Sequence, residues 1–231
     1  MKLNGGVNFF ENGLTTSIRA MHLQTELFGI IHENYNSFDK VGYQRKEPVV
    51  SSFAEYIGIH ALSKATDDSI GRIGHSLNPL DVAIANKGYF QYHSPDGIKL
   101  TRDGRFKLDK DGNLLTLENY NVLANDGTPI KLPFVPEKLE EVKIDRNGNV
   151  RVFNKETKKF DFAGTLSVVT NQGVAVLDPN IKQGFNEYSN VSMHSEILQV
   201  IPVKRNFEAN RQMFVMQNNN LSKAIQALSS S

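Results

Sequence analysis

His32-Glu33 opens like a zinc-hydrolase helix, in which two histidines four residues apart hold the metal and the glutamate activates water. The second ligand is missing, because position 36 is Asn36. Gly74-His75-Ser76 opens like the strained turn that exposes a nucleophilic serine, but the closing glycine is replaced by Asn78. Neither a P-loop nor a GxGxxG run is present. The six histidines, at 22, 32, 60, 75, 93 and 194, show no ligand spacing and read as structural. Absence of cysteine removes disulfides, thiolate metal sites and thiol nucleophiles. Two segments echo each other: Leu108-Asp109-Lys110-Asp111-Gly112-Asn113-Leu114 and Ile144-Asp145-Arg146-Asn147-Gly148-Asn149-Val150. Alternating oxygen-bearing side chains suggest a calcium loop, yet that loop needs glycine at its sixth position, where Leu114 and Val150 stand. Apolar flanks favour hairpin turns. No catalytic, cofactor-binding or metal-binding residue is therefore expected, and no enzyme.

The elements that would carry any other function follow from patterning. The chain has 231 residues, with 26 Lys+Arg against 25 Asp+Glu and a formal net charge of +1, so charge gives no case for nucleic acid or an anionic membrane. No apolar run approaches the roughly 20 residues that span a bilayer, so no membrane insertion is expected. The opening MKLNGGVNFFENG lacks the apolar core of a cleavable secretory signal.

The expected class is α+β, with N- and C-terminal helices pairing as a coiled coil around a central antiparallel all-β domain. Leu14, Met21, Phe28 and Tyr35 recur every seven residues, with Ile18, Thr25 and His32 between them, and Thr15, Thr16 and Ser17 offer N-caps. At the other end Val200, Phe207, Phe214, Leu221 and Leu228 keep the same spacing, widened by Ile197, Val203, Ala224 and Ile225. Pro202 falls inside that pattern and predicts a kink or a helix start near Val203. From Leu80 to Phe185, short apolar runs alternate with Pro95-Asp96-Gly97, Asp103-Gly104, Asp111-Gly112, Asp126-Gly127, Asn147-Gly148 and Gln172-Gly173, which supply the positive φ of tight hairpins. The predicted domains are residues 1–36 with 190–231 (terminal helical assembly), 37–79 (an extended connection whose Phe38, Tyr43, Phe53 and Tyr56 suggest that it packs onto something) and 80–189 (β-rich).

A single narrow stripe on each terminal helix repays the ordering of so much backbone poorly, whereas copies packed side by side bury both faces. The polar positions Asn206, Asn210, Gln212, Gln217, Asn218, Asn219 and Asn220 suit a crowded helix array. Polymerisation through the ends is the favoured reading.

The segment LNPLDVAIANKGYFQYHSPDGIKLTRDGRFKLDKDGNLLTLENYNVL resembles the signature of bacterial flagellar rod and hook proteins. Leu80-Asp81-Val82-Ala83-Ile84, Gly88-Tyr89-Phe90, Thr101-Arg102-Asp103-Gly104 with Phe106, and the Asp111–Leu114 hairpin carry the match. The ends resemble the same family: Gly13-Leu14-Thr15-Thr16 with Met21, Asn36–Arg45 against A-N-V-N-T-x-G-F-K-R, Ser189-Asn190-Val191, and Arg205–Asn210. Departures are Glu33-Asn34 in place of paired asparagines, Lys40 in place of threonine, the dozen residues before Gly13, and Pro202. The resemblance implies a non-enzymatic axial subunit of the basal body, in which the terminal helices form an inner coiled-coil tube and the β domain an outer layer. Its partners would be copies of itself, other rod and hook axial proteins, and the flagellar type III export apparatus. Its place would be the periplasmic basal body, reached without a cleaved signal peptide. The short length resembles rod subunits, proximal rather than distal, more than the hook. The expected assembly residues are Leu14, Ile18, Met21, Phe28, Tyr35, Val200, Phe207, Phe214, Leu221 and Leu228. Leu80, Val82, Ile84, Tyr89, Phe90 and Phe106 are expected in the β core. The competing reading is a hook or distal-rod member, or a β-rich module binding cell-wall glycan through Tyr89, Tyr92 and Tyr120.

Overall fold

A computed structural model describes residues 13–50 and 62–229. The chain divides into two compact units: one holds the described parts of residues 1–36, 46–65 and 192–231, the other residues 37–45 and 66–191.

The first unit contains two helices, α1 (Gly13–Tyr35) and α2 (Met193–Ser229), and the paired strands Lys46–Val50 and Leu62–Thr66. The helices pack together with their chains antiparallel, Gly13 beside Gln217 and Asn34 beside Glu196. Thr15, Thr16 and Ser17 do not cap α1 but lie inside its first turns. Nor does Pro202 begin α2, since the helix starts nine residues earlier and runs through it. Proline brings no N–H there, so the Leu198 carbonyl loses its usual i→i−4 donor. Leu198 is exposed, so that carbonyl lies on the wet side of the helix.

The stretch 37–79 carries three strands, Lys46–Val50, Leu62–Thr66 and Ile73–His75, and contributes to both units. Phe53 and Tyr56 lie outside the described residues.

The second unit is the antiparallel β region. Its largest sheet runs in the order Val168–Val169, Tyr89–Ser94, Asn121–Val122, Leu114–Leu115, Lys107–Leu108, with Gly97–Thr101 also paired to Tyr89–Ser94. A three-stranded sheet joins Val142–Ile144, Asn149–Asn154 and Lys159–Thr165, and two further pairs unite Ile181–Gln183 with Val82–Ile84 and Phe185–Glu187 with Ile73–His75. Between them lies one apolar cluster around Leu80, Val82, Ile84, Phe90, Phe106, Leu114, Val150 and Leu166. Phe90 and Phe106 meet edge to face at 5.2 Å between ring centroids, a favoured aromatic geometry. Tyr89, expected in the core, is half-buried and turns its hydroxyl out to Gln44 Oε1.

The twin segments are both turns. In each, one carboxylate is consumed by its own loop: Asp109 accepts from the amides of Asp111 and Asn113 and from Asn113 Nδ2, and Asp145 accepts from Asn147, Asn149 and Asn149 Nδ2. Gly112 and Gly148 take positive φ, +83° and +88°, where a side chain would be strained. Gly104 breaks the expected pattern. It is not in the positive region, and its role is close approach, because a Cβ there would lie 1.8 Å from the Val82 carbonyl oxygen.

Candidate assembly interface

α1 presents two stripes of seven-residue periodicity, and they differ by one position. Ser17, Ile31 and Asn34 are buried, with Gly13, Ala20, Gln24 and Leu27 half-buried between them. This stripe is small or polar over much of its length. The apolar stripe beside it, one residue and about 100° further round the helix, is the one expected to mediate assembly. There Ile18, Phe28 and Tyr35 are exposed, Ile18 at 52% and Phe28 at 48%, while Leu14 and Met21 are half-buried. On α2, Val200 and Phe214 are half-buried, whereas Phe207, Leu221 and Leu228 are exposed. The chain's own helix pairing therefore uses one face of α1 and leaves much of the expected apolar face uncovered among the described residues.

A buried polar joint holds the helix pair to its strand pair. Asn34 Oδ1 accepts from the Lys46 amide and Asn34 Nδ2 donates to the Lys46 carbonyl, both at 2.8 Å, so the side chain acts as one more rung beside the strand. The same Nδ2 reaches Glu196 Oε2 at 3.4 Å, and Glu196 is fully buried. Neither residue was among the expected site residues. The only signal in the sequence is a polar pair, Glu33-Asn34, on an otherwise apolar helical turn.

Near this joint α1 and α2 form a largely apolar groove of about 370 Å³, lined by Phe28, Ile31, Tyr35, Ile197, Val200 and Ile201 together with His32 and Glu196.

In the β unit, the family-signature residues form a staple rather than a ligand site. Arg102 makes four hydrogen bonds: Nε donates to Glu187 Oε2 at 2.7 Å, Nη1 to the Asn86 and Gly88 carbonyls and Nη2 to that of Ile84, while Nη2 also lies 2.5 Å from Glu187 Oε2 as an ion pair. Glu187 Oε1 then accepts from the Gly71 amide, and its carbonyl accepts from the Gly42 amide. Both side chains of this ion pair are nearly inaccessible, at 2% and 3%. Such a pair is tolerable only when every remaining donor and acceptor is satisfied, and here they are. Thr101 Oγ1 accepts from the Asp103 amide, and Asp103 in turn receives the Arg105 amide and clamps its guanidinium. Asp81 is buried, not solvated. It accepts from Ser76 Oγ, Asn78 Nδ2 and Asn186 Nδ2. Ala83 and Gly88 are also buried. Asn190 accepts from the Arg45 amide and donates to the Asp67 and Ser69 carbonyls.

Hydrogen bonds set the direction of the carboxylate pKa values in the turns. Asp109 is held below the usual carboxylate range by the Asn113 side-chain amide first, and then by backbone amides. For Asp145 burial pulls upward, but bonds from Asn149 and Asn147 and the Arg151 charge outweigh it, so the net direction is again down. Tyr92 and Tyr120 stack on each other at 5.7 Å, and Tyr89 donates its hydroxyl to Gln44.

Two family descriptions match this chain: residues 83–152 match the flagellar hook protein FlgE/F/G D1 domain, and residues 182–227 match the flagellar basal body rod FlgEFG protein C-terminal region. The flagellar basal-body rod protein FlgF of Mesorhizobium japonicum is 29% identical over 95% of this chain and 99% of its own length. The FlgG rod protein of Bacillus subtilis is 28% identical over 63% of this chain and 64% of its own length. FlgF of Rhizobium meliloti is 30% identical over 70% of this chain and 72% of its own length. The first match includes Arg102 and both twin turns, and the second includes its partner Glu187 and most of α2. Helix pair, staple and twin turns are thus those of the flagellar basal-body rod protein family, to which this chain belongs.

Proposed function

We propose that the chain is an axial structural subunit of the flagellar basal-body rod, in a proximal position, which polymerises through α1 and α2 and so transmits torque. The terminal helices pair as a coiled coil and meet those of sister copies and of other axial proteins. The subunit works in the periplasmic part of the basal body and arrives through the flagellar export apparatus without a cleaved signal peptide. One observation carries the reading: the apolar stripe of α1, from Ile18 through Phe28 to Tyr35, stays exposed, while the β unit has a complete core of its own. Exposed apolar stripes at helical spacing are the mark of helix-to-helix association.

The family is structural and is not an enzyme class, which fits the lack of any catalytic constellation in the sequence. Ile18→Asp, on the exposed stripe, and Phe214→Asp, on α2, test the reading. Each should abolish motility and rod reconstitution while leaving the thermal melt of the β unit unchanged. Normal motility in both variants would overturn it.

A further inference from the structure

Two strands of the β unit leave one edge open. Among the described residues, Gly97–Thr101 pairs as a strand only with Tyr89–Ser94, and Lys159–Thr165 only with Asn149–Asn154. Alternation along these hairpins turns the N–H and C=O groups of Ile98 and Leu100, and of Phe160 and Phe162, away from the strands they already pair with. No other described segment takes a backbone bond from these four residues. Ile98, Phe160 and Phe162 are 58%, 50% and 61% exposed. Charge ordinarily blunts such edges. Here Lys99 sits between Ile98 and Leu100, and Asp161 sits between Phe160 and Phe162, so the two edges are opposite in sign.

We infer that the Gly97–Thr101 edge of one copy pairs antiparallel with the Lys159–Thr165 edge of a neighbouring copy, joining their β units strand to strand. The inference rests on the assembly reading above and adds a contact outside the terminal helices. One register satisfies both edges: Ile98 opposite Phe162, Lys99 opposite Asp161, and Leu100 opposite Phe160. In it the outward N–H and C=O groups of the two edges meet, the apolar side chains share one face, and the opposite charges share the other. Gly97, which has open space where a side chain would stand, falls opposite Ala163. Lys99 bonds Asp96 at 2.8 Å, in a surface pair exposed enough for a change of partner to cost little. Asp161 gives Asn154 only its Oδ2. Two like edges would close into a two-fold dimer, whereas two different edges extend into an array. So few residues do not hold free chains together, and the contact closes where helix-mediated assembly raises the local concentration.

The chain has no cysteine, which permits a direct test. Full-length chains carrying only Ile98→Cys or only Phe162→Cys are mixed, allowed to assemble and exposed to a short thiol cross-linker, with sedimentation followed on the same samples. Proximity predicts a mixed 98–162 product forming at least about tenfold faster than either self-linked product. Adding Lys99→Asp to the first chain should slow that product several-fold, and adding Asp161→Lys to the second should recover much of the loss. Sedimenting assemblies that give no preferred 98–162 product would overturn the edge pairing and leave the assembly reading standing. A dominant 162–162 product would also overturn it, in favour of two Lys159–Thr165 edges meeting about a two-fold axis. If the unsubstituted chain sediments as a monomer at every concentration, the assembly reading fails, and this inference with it.

Discussion

Arg102 and Glu187 are the residues on which the β unit turns. The guanidinium is sequestered between a carboxylate and three carbonyls, so removing it does more than delete one ion pair. Arg102→Met should leave the Glu187 carboxylate buried without its cation and lower stability by about 3–5 kcal/mol, read as a shift in the urea unfolding midpoint. Arg102→Lys should recover only part, since an ammonium lacks the planar fork that reaches two carboxylate contacts and three carbonyls. The twin turns give a pH prediction. Asp109 and Asp145 titrate lower in the folded chain than in the unfolded one. Their contribution is therefore complete above the ordinary Asp value near ~3.9 and is lost as pH falls through the depressed folded values. Stability measured in urea from pH 6 down to pH 2 should decline below about pH 4, and Asp109→Asn with Asp145→Asn should flatten that decline. Asp103 and Asp81 were legible as signature residues, but their duties were not. The bonds from Asn186 to Asp81 and from Glu187 to Arg102 close over 105 and 85 positions of chain, and no local pattern announces them.

The two helices were legible because a seven-residue apolar repeat survives any choice of partner. Which face each helix turns inward was not. The face of α1 that the chain buries for itself carries Ser17, Gln24 and Asn34, and the strongest apolar repeat lies beside it. Hydrophobic periodicity reports the face that seeks burial, and on the assembly reading proposed above another molecule supplies much of that burial. The hairpins were legible through their Asx-Gly pairs, with Gly104 as the exception that serves packing. Missed altogether was the strand pair Lys46–Val50 with Leu62–Thr66. Lys46, Glu47, Ser63 and Lys64 break any apolar alternation, and the strand is held instead by the Asn34 side chain. Asn34→Ala should remove both bonds to the half-buried Lys46 backbone and lower the stability of the helical unit by about 1–3 kcal/mol. Amide hydrogen exchange at Lys46 should speed up markedly while exchange in the β unit stays as it was.

At the scale of the molecule, the two units are stabilised in different ways. The β unit owns a contiguous buried core, while the helical unit exposes much of its apolar surface. Two thermal transitions should follow. The loss of helical circular dichroism should move to higher temperature as protein concentration rises, because association stabilises only the associated state, and the β transition should stay fixed. A helical transition independent of concentration would contradict the assembly reading.

The proline in α2 has a mechanical consequence. At Pro202 one rung of the backbone ladder is absent, and its orphaned carbonyl at Leu198 lies toward solvent. A slender beam yields first where its cross-section is weakest, so flexure of this helix gathers at that notch. The long shaft beyond it, from Val203 to Ser229, can then swing as one stiff piece.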